Sequence, residues 1–480
     1  MNNAKELYTG FLKYKGIDFS FIFANNELRL IPSIDKSTEI QHKWLMKEIG
    51  NGVYTNGDPL LVEEESIIAT CNETNGSIIF LPRLGSVISS TRTLLVDKPP
   101  VLKISLSAYI MCRFDRDAIS RISFIGPEIN YIHPVNQAFS WIFDEESNKQ
   151  GIIKIETRDF SSTTTEEHYF SVDSKIISSK FGISRGVSME VGETPLSLKS
   201  SLIFEFEPSN DYQFILQLCS IAKDYISYLC YRKNIVFDEI ELSAPYEGGK
   251  YEKFASLFII DSENEPDESA LKRKRNIKQM YINDGETRIL QDIADNSLYL
   301  RHLPTSYTIG RHIDASRFVM IVAAFEWEFR RMKPDGLQKS EKRQKAEKEA
   351  NITISKLIDS STGKEKEIYK FLRKFIGAAS LQNEIENACE ELDQIVGVLG
   401  RRLYKINGEG MSYSDIGHRL AEQRNHFAHG DIDKDFIGTS LLDLIFLEYV
   451  IYAMQLKYYG ISDMNIQKSI NELFHLNFAI

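Results

Sequence analysis

Apolar and polar positions follow two different rhythms along this chain. In the first half they alternate, and beyond Pro208 apolar residues recur at helical spacing. Phe19, Phe21 and Phe23 alternate along a run, Asn25-Asn26 supplies a turn, and Leu28 and Leu30 resume the alternation, which predicts a β-hairpin. Further β-rich runs span Ile78 to Leu81, Val101 to Met111, Gly151 to Thr157 and Leu196 to Phe206, with Gly, Pro, Asn and Ser between many of them. Short strands without intervening helices predict an antiparallel β-rich region over 1–208, sandwich-like or barrel-like. That region offers no recognisable catalytic set.

After Pro208 the repeat of Phe214, Leu218, Ile221 and Tyr225 predicts a helix running to about Arg232, capped by Ser209 or Asn210. Val236 to Leu242 and Tyr251 to Ile260 look extended again, so 209–283 is expected to pack on the N-terminal region, with the helix between or beneath two β subdomains. An acidic run, Asp261 to Glu268, then meets a basic one, Lys272 to Lys278, the clearest change of composition in the chain and the expected position of a mobile boundary loop. The remainder, 284–480, reads as helical, with its core over 314–480. Phe318, Val322, Phe325 and Phe329 share one apolar face. The mixed charges of Lys339 to Glu349 suit a solvated helix. Helices follow over Lys364 to Phe375, Gln382 to Leu399, Tyr413 to Ala428 and Thr439 to Tyr459, and the short loops between them imply an antiparallel bundle. The expected fold class is thus α+β and multidomain: an N-terminal antiparallel, sandwich-like β region followed by a C-terminal helical bundle.

Composition narrows the function classes. With 480 residues, 26% charged and 42% hydrophobic, the chain has globular usage and enough material for more than one domain. Five cysteines, Cys71, Cys112, Cys219, Cys230 and Cys389, include no CxxC pair and fit reduced thiols in a cytoplasmic protein. No apolar signal core follows Met1, and the most apolar stretch, Leu441 to Tyr459, is interrupted by Asp443, Glu448, Gln455 and Lys457, so it reads as a buried helix and no membrane partner is expected. A net charge of −11 argues against a protein that coats nucleic acid, so any site for RNA must be local.

One segment concentrates groups able to act on a phosphodiester: Arg424-Asn425-His426-Phe427-Ala428-His429. An arginine supplies a permanent positive charge, and a histidine carries a proton that titrates near neutrality. Ile416, Leu420 and Phe427 recur at helical spacing and define the buried face. On that wheel His429 stands roughly 200° and Asn425 roughly 160° from Phe427, both away from the core, with Arg424 at the edge. Gly430 follows directly and suits a helix C-terminus, whose dipole favours a protonated histidine.

The order Arg, Asn, His within a helical hairpin, with Gly after the His and an apolar helix following, resembles the signature of the HEPN superfamily of small helical ribonucleases. The likeness covers Asp314 to the C-terminus. A long β-rich region ahead of the helices is similar to the ApeA-type branch of bacterial anti-phage proteins. What the resemblance implies is a metal-independent endoribonuclease with no cofactor. His429 would serve in general acid-base catalysis, Arg424 would neutralise the phosphoryl oxygens, and Asn425 would orient one or the other. It also implies a homodimer through the helical domain, in which two motifs share one cleft. The N-terminal region would then act as sensor or restraint, answering to a phage-derived activator or an inhibitory partner.

Several neighbours qualify as substrate contacts. Arg401, Arg402 and Arg419 precede the motif on the same hairpin, His426 lies inside it, and Glu326 sits in the first helix, where some HEPN proteins carry an acidic residue. The basic pairs and runs Lys272 to Arg275, Arg330-Arg331, Arg373-Lys374 and Arg401-Arg402 otherwise read as solvated surface. His418, His426 and His429 are the candidates for a metal, but His418 is two turns from His426 and no cysteine lies nearby, so no metal is expected. Two alternatives stay open: a catalytically silent dimeric module that binds RNA or another ligand, and a HEPN toxin regulated by a separate nucleotidyltransferase.

Overall fold

The computed structural model describes residues 7–74, 76–91, 99–116, 118–142, 149–151, 154–158, 163–190, 196–260, 272, 274–337, 341–376, 380–428, 430 and 436–478. They form two compact units: Met1–Ser227 with Asn234–Asp267 and Ile293–Asp295, and Tyr228–Lys233 with Glu268–Asp292 and Asn296–Ile480.

The first unit is built on one antiparallel sheet that partly closes on itself. Strands β1 (Leu7–Tyr14), β2 (Ile17–Ala24), β3 (Glu27–Pro32), β4 (Ile67–Cys71), β5 (Ser77–Pro82) and β6 (Val101–Cys112) form a closed ring in the order β6-β3-β2-β1-β4-β5-β6. The β2–β3 hairpin has the expected turn: Asn25 and Asn26 both take positive φ, 51° and 61°, the twist that a two-residue connection requires. Phe19, Phe21, Phe23, Leu28 and Leu30 point inward, where they meet Phe80, Leu102 and Ile104 in the barrel core. At Gly10 the strands approach so closely that a Cβ would stand 2.0 Å from the Thr70 carbonyl oxygen.

Closure depends on the length of β6. Its first half pairs with β3, Leu102 opposite Leu30, and its second half with β5, Met111 opposite Ile78. Of the sandwich-like and barrel-like alternatives, the structure has a barrel, which replaces the sandwich: alternation reveals a buried face but not whether the sheet bearing it curls shut. The other edge of the second half of β6 carries an open extension. It comprises β7 (Ile119–Ile125), β8 (His168–Val172), β9 (Lys175–Val187), β10 (Leu196–Ser209), β11 (Glu239–Tyr246) and β12 (Lys250–Ile259), ordered β12-β11-β7-β10-β9-β8 outward from β6. Strands β11 and β12 thus join the same sheet and form no separate subdomain. Of the expected run Gly151 to Thr157, Lys154–Thr157 forms a small pair with Phe139–Ile142.

Helix α1 (Tyr212–Cys230) buries Phe214, Leu218, Ile221 and Tyr225 as its period requires. Its cap is Asp211, whose carboxylate accepts the Phe214 N–H at 3.0 Å; Ser209 instead accepts from the Asp211 N–H. The acidic run Asp261 to Glu268 lies outside the described residues.

The second unit is helical: α2 (Ala315–Met332), α3 (Glu341–Ser360), α4 (Gly363–Phe375), α5 (Leu381–Glu391), α6 (Val398–Ile406), α7 (Tyr413–Ala428), α8 (Ser440–Tyr458) and α9 (Asp463–Leu473). Asp314 caps α2 by accepting the Arg317 N–H at 2.7 Å. The expected single helix from Gln382 to Leu399 is broken by a wide turn over Asp393–Gly397. No helix among the described residues is long and apolar enough to cross a membrane. Helix α8 is buried on nearly every side, and the polar groups that interrupt it are met one by one. Asp443 receives both Nε and Nη2 of Arg419 at 2.6 and 2.8 Å and the hydroxyl of Tyr404. Glu448 accepts from Arg317 at 3.1 Å and from Tyr231. Gln455 donates at 3.0 Å to Glu328, which is ion-paired with Arg331. Arg331, expected at a solvated surface, is consequently drawn inward, its side chain 13% exposed.

His302, buried beside Tyr299 and Tyr231, is kept neutral: burial pushes its imidazole down to about 3. In the unfolded chain it would protonate near 6.5. Below that pH the unfolded state binds a proton that the folded state refuses, so stability is full above about 6.5 and falls by up to about 1.4 kcal/mol per pH unit as pH drops towards 3. Denaturant melts of wild type and His302→Phe between these limits should show a shallower decline with falling pH in the variant. Equal slopes would remove His302 from the acid response.

Candidate functional site

Helix α7 carries Arg424 and Asn425, and its position is set by close packing at both ends. Near the start, Gly417 rests on the first turn of α5: a Cβ there would lie 2.6 Å from the Gln382 carbonyl oxygen. Ile416, Leu420 and Phe427 are buried as their spacing requires. At the far end the Phe427 ring meets Phe318 of α2 edge-on at 5.3 Å and Phe436 at 5.7 Å, and Phe318 lies 6.0 Å from Phe436. Three aromatic rings therefore pin the last turn of α7 between α2 and the residues leading into α8.

A buried amide adds direction to that packing. Gln423, immediately before Arg424, is fully buried, and its Oε1 accepts the Ile437 N–H at 2.6 Å and the Ser440 hydroxyl at 3.3 Å. The chain leaving the motif is thus tied back at the start of α8. Helix α7 ends at Ala428, and Gly430 follows with φ +90°, the left-handed backbone expected at a helix C-terminus.

Around this frame Arg424 and Asn425 reach solvent. Arg424 is partly exposed, and its Nη2 stands 3.8 Å from the Glu326 carboxylate of α2. Such a pair is longer than a hydrogen bond and open to water, so its net worth is small and a phosphate oxygen can compete for the guanidinium. Asn425 is exposed beside it. His426 approaches Glu422 at 4.0 Å, and His418 approaches the same carboxylate at 3.8 Å from one turn earlier. His429 lies outside the described residues. Among the described residues no group of three or more His, Cys, Asp or Glu side chains is placed to hold a metal.

The basic neighbours have structural partners. Arg419 is committed to the buried Asp443, an interaction that raises the already high pKa of its guanidinium. Arg401 pairs with Asp393 at 2.9 Å, and Arg402 donates to the Asn477 carbonyl at 3.2 Å and lies over the Phe478 ring. None of the three is brought to Arg424 by a described contact, whereas Glu326 is. One further acid was not visible in the sequence as part of the site. Glu384 of α5 has its carboxyl held above the usual range, first by burial and then by the negative charge of Glu326, with Arg330 opposing. Nothing in the local sequence marks it, because its setting comes from α2.

No protein-family model, curated protein or solved structure matches the chain.

Seating α7 on α5 should be intolerant of side-chain volume at residue 417. Because the obstructing atoms are backbone, Gly417→Ala is expected to cost about 1–3 kcal/mol, the usual penalty for overpacking. Equilibrium urea unfolding reads this directly. An unchanged midpoint would show that the α5–α7 contact yields without strain.

Proposed function

We propose that the chain is a metal-independent endoribonuclease of HEPN type, the RNA-cleaving effector of a bacterial anti-phage system, with the β-rich N-terminal unit as sensor or restraint. The observation that carries this reading is the accessibility of Arg424: a guanidinium held at the end of a tightly packed helix, paired loosely with Glu326 and backed by a buried amide. An arginine locked into the core would not serve. The spacing from Arg424 to His429 supplies the second chemical group.

RNA brings its own nucleophile, so the protein has little covalent chemistry to perform. Abstraction of the 2′-hydroxyl proton lets the 2′-oxygen attack the adjacent phosphorus, and the P–O5′ bond breaks as the 5′-oxygen takes up a proton. The products are a 2′,3′-cyclic phosphate and a 5′-hydroxyl. His429 carries proton transfer, an effect of about 10²–10⁴-fold. Arg424 stabilises the charge that develops on the phosphoryl oxygens, and Asn425 orients the histidine or the phosphate. One imidazole does not readily act as base and acid in the same turnover. A dimer through the helical unit, an antiparallel HEPN bundle in this reading, sets two copies of one patch face to face about a two-fold axis, so that two His429 residues divide the roles. Arg424 exchanges its loose contact with Glu326 for a substrate phosphate oxygen.

Purified full-length chain incubated with total RNA in chelator should yield fragments with 2′,3′-cyclic phosphate and 5′-hydroxyl ends. Arg424→Ala and His429→Ala should each reduce cleavage at least about 10²-fold with unchanged melting. Cleavage that persists in both variants would defeat the assignment. Absence of cleavage by the wild type would favour a silent binding module, and cleavage dependent on a co-purifying protein would favour a partner-regulated toxin.

A further inference from the structure

A second basic site lies within the helical unit, and Arg424 is not part of it. A cavity of about 110 Å³ opens among the turn after α1, the short helix Tyr307–Gly310, the start of α2, the middle of α8 and the end of α9. Its deep wall carries the buried Arg232 and a paired charge. Arg317 is paired with Glu448, and its other amino group donates to the carbonyls of Ile309, Gly310 and His312. Pro304, Leu473 and Phe474 make the apolar part of the lining.

The mouth is different. The Arg275 guanidinium carbon stands over the Tyr307 ring, 4.4 Å from its centre, and Lys272 approaches the same ring at 5.4 Å. Arg311 lines the same cavity, close enough to Arg275 for the two positive charges to oppose one another. Neither arginine has a carboxylate partner among the described residues. Arg275 also departs from the solvated surface that its basic run suggests, being partly buried against Tyr307. Like charges gathered at a concave, partly desolvated surface repel unless an anion sits between them, and paired guanidinium groups match the oxygens of a phosphate better than a lone ammonium does.

We infer that this cavity binds a small phosphoryl-bearing ligand, its oxyanion held by Arg275, Arg311 and Lys272 and its remainder against Pro304 and Phe474. The volume fits a phosphate group with a short attached portion, not a folded nucleic acid. The inference is independent of the nuclease reading, since it uses none of the residues near Arg424.

Calorimetric titration of the full-length chain with inorganic phosphate and with a nucleoside 5′-monophosphate, at constant ionic strength set by chloride, tests it. At least one probe should bind saturably at one site per chain. Arg275→Gln and Arg311→Gln should each weaken that binding about tenfold or more, whereas Arg424→Ala should bind like the wild type. Arg311 is exposed, so its variant keeps the test valid if Arg275→Gln fails to fold. The inference falls if neither probe gives saturable heat, if Arg311→Gln binds like the wild type, or if binding is lost in Arg424→Ala and kept in the cavity variants.

Discussion

Buried charge on α8 is the constraint on which the helical unit depends. An acid or amide inside an apolar helix is expensive to desolvate and becomes tolerable only when a specific partner arrives. Asp443, Glu448 and Gln455 each receive one: Arg419 from α7, Arg317 from α2, and Glu328 with Arg331, also from α2. Apolar packing alone lets helices slide by a turn at modest cost. Paired charges do not, because a slipped register would leave an uncompensated buried ion, a penalty of about 3–5 kcal/mol. The three layers fix both α2 and α7 against α8.

That register places the candidate site. Arg419 and Arg424 occupy α7, and Arg317 and Glu326 occupy α2, so the inner pairs that lock the helices also determine where the outer pair meets. The aromatic contact of Phe318 with Phe427 and the hold of Gln423 on Ile437 complete the frame. Arg317, in the wall of the basic cavity, directly precedes Phe318, which touches the last turn of α7. One stretch of α2 therefore contributes both to the cavity wall and to the packing behind Arg424.

Much of this was legible from periodicity, and the failures have a common cause. The limits of α7, Tyr413–Ala428, the Asn25-Asn26 hairpin and the buried face of α2 follow from local spacing and turn chemistry, and the structure has them in place. The interruption of the Leu441 to Tyr459 stretch by Asp443, Glu448 and Gln455 argued against a membrane span, but not for the arginines that meet them. Pairing partners lie far away in sequence: 24 residues separate Arg419 from Asp443, and 131 separate Arg317 from Glu448. The choice between sandwich and barrel stayed open for the same reason, since it rests on which strands β6 pairs with. Arg275 and Arg331 read as surface charges because each sits in a basic run or pair, whereas Tyr307 in one case and Glu328 in the other draw them in.

The double use of β6 has a consequence for how the first unit comes apart. Its second half is hydrogen-bonded to β5 on one edge and to β12 on the other, so barrel and extension share a single backbone. Neither can open fully while the other remains intact at that strand. Amide protons between Ala108 and Cys112 should accordingly be among the last in the unit to exchange with solvent, surrendered only in the global event, while strand β8 at the free margin of the extension frays on its own.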